Sequence, residues 1–107
     1  MTATRTVGPR RVRVRGDLYH GQLPEGAVYV GRTAPGLPGS VFRNPFTVRK
    51  HGRARALELF REHLDRHPYL VDQARRELAG RDLACWCRLD EPCHADVWLD
   101  ILANPPT

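Results

Sequence analysis

The sequence predicts a small α/β fold, Rossmann-like, with a parallel or mixed sheet and about three helices. Three observations predict it: short apolar segments bounded by glycine and proline, longer segments with apolar residues at helical spacing, and the alternation of the two near the end of the chain. The 107 residues, 41% apolar and 27% charged, suffice for one domain with its own core. We therefore expect a single domain over residues 11–104, preceded by a flexible basic tail over residues 1–10.

The first half of the chain is predicted to supply three strands. Val12 and Val14 alternate with arginines, which is typical of an edge strand. Residues 27–30 form a continuous apolar run, as buried strands do. The apolar residues on either side of Asn44 and Pro45 complete the β-β-β part of the predicted order β-β-β-α-α-β-α.

The second half is predicted to be mostly helical. Residues 53–66 and 69–79 carry apolar side chains at helical spacing, so we expect two successive helices. A buried strand over residues 82–87 follows them. The last helix runs from Pro92 to about Ala103.

The charge of the chain is basic, with a formal net charge of +5, and Lys50 is the only lysine among 17 basic residues. Most arginines on the predicted helices alternate with aspartate and glutamate, as on solvated helix faces. The start of the chain differs, because no acidic residue precedes Asp17; its arginines are Arg5, Arg10, Arg11, Arg13 and Arg15. This segment is a candidate for docking on nucleic acid, although no stacking aromatic residues alternate with its arginines.

Three cysteines, Cys85, Cys87 and Cys93, lie within nine residues. An odd number of cysteines, with no secretory signal at the start of the sequence, indicates metal or thiol chemistry in a reducing compartment. We therefore expect a cytoplasmic protein. No apolar segment is long enough to cross a membrane, and we expect no membrane partner.

The last strand and the last helix are expected to bring the cysteines together. The apolar face of the helix extends back to Cys93 and His94 in its first turn, and the preceding strand ends at Cys85 and Cys87. Only residues 88–91 separate the two elements. The sequence thus predicts a site at the carboxyl end of a strand, where open α/β sheets hold ligands.

Three interpretations of this site stay open. The first is a tetrahedral zinc centre. Its ligands are Cys85, Cys87, Cys93 and His94, with His20, His51 or water as alternatives for the fourth position. In the second, Cys93 at a helix amino terminus is a nucleophilic or redox thiol, with Cys87 as resolving partner or His94 as base. In the third, the cysteines simply fill core positions.

A second group of residues is predicted to bind a nucleotide-like or other phosphate-bearing anion. Gly31 and Arg32 follow a strand directly, so backbone N–H groups and a guanidinium can turn toward a phosphate. Asn44 could set its amide against a base or ribose, with Phe46 in the core. Both elements are equally typical of tight turns. If the strand before Gly31 runs parallel to the strand that ends at Cys87, the two groups share one edge of the sheet.

Four blocks of the sequence carry a resemblance to a known family. They are residues 28–32 (Val-Tyr-Val-Gly-Arg), 44–46 (Asn-Pro-Phe), 80–87 (Gly-Arg-Asp-Leu-Ala-Cys-Trp-Cys) and 92–97 (Pro-Cys-His-Ala-Asp-Val). Through them the chain, over roughly residues 11–103, resembles a family of bacterial and phage proteins catalogued as domain of unknown function 4326. The resemblance implies that the last two blocks form a site, and it implies no particular reaction.

The leading hypothesis is an α/β domain with a Cys/His zinc site beside a nucleotide or phosphate pocket. If the site is catalytic, the metal would activate water, yet the His-x-Glu and Cys-x-x-Cys motifs of zinc deaminases are absent from the sequence. The alternatives are a non-enzymatic nucleic-acid or protein-binding module with structural cysteines, and a thiol redox protein that uses Cys93. Whether the protein is an enzyme stays open.

Overall fold

A computed structural model describes residues 9–16 and 21–104. Most of the predicted tail and His20 therefore lie outside the described residues. The elements, in chain order, are β1 (Arg11–Arg13), β2 (Val28–Tyr29), α1 (Val48–His51), α2 (Arg53–Arg66), α3 (Pro68–Glu77), β3 (Leu83–Cys85) and α4 (His94–Ala103). The described residues confirm the predicted small α/β fold.

The three strands form one parallel sheet in the order β1-β3-β2. Ala84 of β3 pairs with Val12 on one side and with Tyr29 on the other. As the central strand, β3 is buried along its whole length, while β1 is the predicted edge strand. Because β2 and β3 are parallel, their carboxyl ends meet at one edge of the sheet.

Hydrophobic clusters cover both faces of the sheet. On one face, Leu83 and Cys85 pack against the helices, around the buried side chains of Phe60 and Trp98. The indole Nε1 of Trp98 donates to the carbonyl of Phe42 at 2.8 Å, which satisfies the one polar atom of that ring. On the other face, Ala84 joins a smaller cluster of Val14, Tyr29 and Leu37. The side chains of β3 therefore alternate between the two faces of the sheet.

The prediction of a third strand around Asn44 and Pro45 is wrong. The side-chain oxygen of Asn44 accepts a hydrogen bond from the Phe46 N–H at 2.9 Å, which closes a turn in place of an extended segment. Thr47 then caps the short helix α1, because its hydroxyl accepts from the Lys50 N–H at 3.2 Å. The observed order is β-β-α-α-α-β-α.

The other predicted helices and strands are present, and some of them begin or end a few residues from the predicted positions. α2 has the predicted limits, and α3 begins one residue early, with Pro68 in its first turn. β3 stops at Cys85, and α4 begins at His94 because Cys93 is its N-cap residue. No helix in the described part of the chain combines the length and apolar composition needed to cross a lipid bilayer.

Candidate metal centre

The three cysteines converge on one point between the sheet and α4. Cys85 ends β3, Cys87 follows two residues later, and Cys93 caps α4. Their sulfur atoms all lie within 4.8 Å of one another, and the Cys85 and Cys93 sulfurs are 3.1 Å apart. A tetrahedral zinc ion with Zn–S bonds of about 2.3 Å separates its sulfur ligands by about 3.8 Å. The three sulfurs could therefore hold a metal ion.

The side chain of His94 lies beside this cluster and contacts it only at Cys93, so the group of close donor atoms in the described residues is the three sulfurs. The His94 Nε2 lies 2.7 Å from the carbonyl oxygen of Val30, and since a carbonyl can only accept, Nε2 carries the hydrogen. The Nδ1 lone pair then lies 3.5 Å from the Cys93 sulfur, close to the separation of about 3.6 Å between a sulfur and a nitrogen ligand on one zinc ion. Burial lowers the pKa of His94, which keeps this lone pair available. A second-shell carbonyl on the far ring nitrogen is the usual companion of a metal-bound histidine.

The Cys93 sulfur and the His94 Nδ1 lie close together although the two residues are adjacent, because the residues lie on either side of a helix boundary. Cys93 has an extended backbone, and its N–H donates to the carboxylate of Asp96 at 2.9 Å. His94 is the first helical residue. Asp96 thus sets the start of α4 and, with it, the directions of both side chains.

A buried arginine holds the segment that connects Cys87 to Cys93. Its nitrogens donate to the carbonyls of Arg88 (3.1 Å), Leu89 (3.0 Å) and Glu91 (2.7 Å). This residue is Arg11 of β1, whose Nε also lies 3.1 Å from Asp96 and whose side chain is only 8% exposed. The sequence pattern predicts Arg11 in a docking segment and does not predict this role. Strand alternation could have found it, because Arg11 pairs with Leu83 and so lies on the face that α4 covers.

Arg53, at the start of α2, holds the other side of the same segment. Its Nη1 donates to the carbonyl of Pro92 at 2.7 Å and lies 4.0 Å from the Cys87 sulfur, while Nη2 is 3.4 Å from the Glu91 carboxylate. The sequence pattern does not predict a role for Arg53 either. A cation beside Cys87 favours the thiolate form of that residue.

The pKa values of the three thiols shift in different directions. A hydrogen bond from Cys85, followed by one from Cys93, lowers the pKa of Cys87, and Arg53 adds to this effect. The hydrogen bond with Cys87 raises the pKa of Cys85, and the hydrogen bond with Cys85 raises that of Cys93. Cys87 is thus the first thiolate of the cluster. A metal ion would replace the protons that the other two sulfurs retain.

Of the predicted anion-binding residues, Gly31 and Arg32 lie directly after Val30, whose carbonyl accepts from His94. Gly31 is buried under Tyr29, and a Cβ at this position would lie 2.7 Å from the Tyr29 hydroxyl. That hydroxyl donates to the Arg32 carbonyl. The side chain of Arg32 is exposed, in keeping with a role in ligand binding, which stays a prediction.

The other two predicted residues make internal contacts. Asn44 donates from Nδ2 to the Ala56 carbonyl at 3.2 Å and accepts the Phe46 N–H through Oδ1. Its backbone carbonyl accepts from the Arg32 guanidinium at 2.5 Å. Phe46 is half-buried, and its ring meets His51 edge-on at 5.9 Å rather than entering the main core. Binding of a ligand by either residue also stays a prediction.

Comparisons with known proteins identify the family. No curated protein and no solved structure matches the chain. A family model with the description Domain of unknown function (DUF4326) matches residues 16–104, a range that includes the three cysteines and His94. The chain therefore belongs to the DUF4326 family, as the four sequence blocks suggested.

Proposed function

We propose that this protein binds one zinc ion through Cys85, Cys87, Cys93 and His94. The observation that carries this function is the meeting of the three cysteine sulfurs, and the Nδ1 of His94, 3.5 Å from the Cys93 sulfur, supports His94 as the fourth ligand. Thiolate and imidazole donors in a tetrahedral set suit zinc better than magnesium or calcium, which prefer oxygen.

The role of this zinc ion is structural. Four protein ligands leave no position for a water molecule, whereas catalytic zinc sites keep one open. Cys85 and Cys93 are each 2% exposed, so substrate would reach the ion only past Cys87. We therefore favour a binding module over a hydrolytic enzyme. Because such a thiol cluster needs a reducing compartment, the cytoplasm is its expected location.

The thiol redox alternative has less support. Reactive thiols are accessible and have a low pKa. Cys93 is buried, and its hydrogen bond with Cys85 raises its pKa.

Zinc binding is tested by metal analysis of the protein purified without added zinc. We expect one zinc per chain in the wild type and little in Cys87→Ser. The cobalt-substituted protein should show intense visible absorption typical of four-coordinate thiolate sites. Replacing His94 by alanine should weaken this absorption or shift it toward a water-bound site, whereas the matched variant His51→Ala should leave it unchanged. A wild-type protein with no bound metal, and with stability unaffected by chelators, would contradict the proposed function.

A nucleotide-like anion is the ligand that we propose for the adjoining edge of the sheet. Arg32 is exposed just after β2, and the parallel pairing of β2 with β3 places this position at the same edge as the cysteine cluster. Ligands of open α/β sheets bind at such edges. A guanidinium beside them suits phosphate.

Calorimetric titration of the zinc-loaded protein with ATP, with pyrophosphate and with adenosine tests this ligand class. Phosphate recognition predicts binding of the first two, weakened in Arg32→Ala and not in the control Arg66→Ala. Binding of adenosine alone, or no binding at all, would exclude it.

A further inference from the structure

A basic groove runs along the outer edge of the sheet, where β1 is the edge strand among the described residues. Its volume is about 900 Å³. It is lined by residues 10–16 together with Pro24, Glu25, Asp82 and Leu89. Neither the cysteine cluster nor the predicted anion site is part of it.

The charge of this groove comes from arginines at its surface. Arg10, Arg13 and Arg15 are exposed, whereas Arg11 turns inward to the loop before Cys93. Two acidic residues, Glu25 and Asp82, also line the groove, and the three exposed arginines outnumber them. Arginine therefore predominates, and the groove suits a partner with a row of anionic groups.

We infer that this groove binds the phosphate backbone of double-stranded DNA without reading its sequence. Guanidinium groups pair with phosphate oxygens, and Arg13 and Arg15 lie on one face of the edge strand while Arg10 lies on the other, so phosphates beside this edge can meet arginines from both faces. Proteins that prefer single strands add aromatic side chains on which bases stack. Among the described residues, none that lines the groove is aromatic. A duplex offers phosphates and needs no such stacking.

The probe is a short fluorescent duplex DNA of mixed sequence, titrated with the zinc-loaded protein over a series of salt concentrations. Binding should weaken steeply with salt, because each phosphate contact releases condensed cations. In the double variant Arg10→Gln/Arg15→Gln, the loss of two contacts should reduce the slope of log affinity against log salt by about 1.8. Between 50 and 200 mM salt, this variant should then lose roughly tenfold less affinity than the wild type does.

Two matched variants distinguish DNA binding by the arginines of the groove from an effect of the overall positive charge of the protein. Arg66→Gln/Arg76→Gln removes the same charge from exposed positions on α2 and α3 and should bind as the wild type does. Arg10→Lys/Arg15→Lys keeps the charge and should restore most of the salt dependence, since a point charge still pairs with phosphate. Arg11 stays unchanged in all variants because it holds the segment between Cys87 and Cys93.

Four results would overturn the inference. They are no binding to the duplex at low salt, binding that salt does not weaken, an equal loss of binding in the Arg66/Arg76 control, and tighter binding of the single strand than of the duplex. Each is independent of the zinc content, which is measured on the same samples.

Discussion

The Arg11 guanidinium lies 3.1 Å from the carboxylate of Asp96, and that same carboxylate accepts the N–H of Cys93. The first strand of the sheet is thereby connected to the residue that begins the last helix. Arg11 also donates to three backbone carbonyls of the segment between Cys87 and Cys93, so it holds that segment from the side of β1. Arg53 holds the same segment from the side of α2, by donating to the carbonyl of Pro92. Neither arginine belongs to the candidate metal centre, yet both contact the segment that connects Cys87 to Cys93.

Arg11→Ala should weaken zinc binding by about 10–100-fold, the usual effect of removing a group that orients metal ligands. The reason is the loss of the hydrogen bonds that hold the segment between Cys87 and Cys93. Competition with a chromophoric chelator measures the affinity. Arg15→Ala, an exposed arginine two residues beyond the same strand, is the control and should leave the affinity near that of the wild type. Equal affinities in Arg11→Ala and wild type would show that the loop keeps its form without Arg11.

Phe60→Ala should lower the free energy of unfolding by roughly 3–5 kcal/mol, because it opens a cavity in the main core. Phe60 is fully buried, and its ring meets the rings of Trp98 and His94 edge-on at 5.7 and 5.6 Å. Urea denaturation of the zinc-loaded protein measures the loss. Tyr69→Ala, at a position 65% exposed, should change stability by only about 0.5 kcal/mol. A small effect of Phe60→Ala would mean that the core closes around the gap.

Gly31→Ala distinguishes packing from ligand binding at this glycine. A Cβ would lie 2.7–2.9 Å from the Tyr29 side chain, so we expect a destabilisation of about 1–3 kcal/mol. The double variant Gly31→Ala/Tyr29→Leu should recover part of this loss, and a double-mutant cycle measures the coupling. A stable Gly31→Ala protein that no longer binds pyrophosphate would instead assign the glycine to the anion site.

Stability should fall as the pH drops through the titration range of His63. Burial lowers the pKa of His63, and the neighbouring His67, whose ring centroid is 4.2 Å away, lowers it further. The unfolded chain therefore binds a proton at a higher pH than the folded protein does, and unfolding becomes easier between these two values. Urea midpoints from about pH 7.5 down to about pH 5.5 should show this slope. His63→Gln should reduce it, while His51→Gln serves as the control; an unchanged slope in His63→Gln would refute the assignment.

Local patterns in the sequence were enough to predict the three longer helices, α2, α3 and α4, and the convergence of the three cysteines. The apolar spacing in residues 53–66 predicts α2 to the residue, because helical periodicity is a property of neighbouring positions. The approach of Cys87 to Cys93 follows from the short loop between a strand and a helix. The wrong third strand came from the same kind of pattern, since the Asn44 turn and the Thr47 cap outweigh the apolar residues beside them.

What the sequence alone determined was which residues are apolar, which can coordinate a metal, and how closely they follow one another. The tertiary structure decided the parallel pairing of β2 with β3, the hydrogen bond that orients His94 on Val30, and the inward direction of Arg11 beside the exposed Arg10, Arg13 and Arg15. These contacts join residues more than fifty positions apart. They depend on chain folding that brings distant surfaces together, and short-range periodicity carries no information about it.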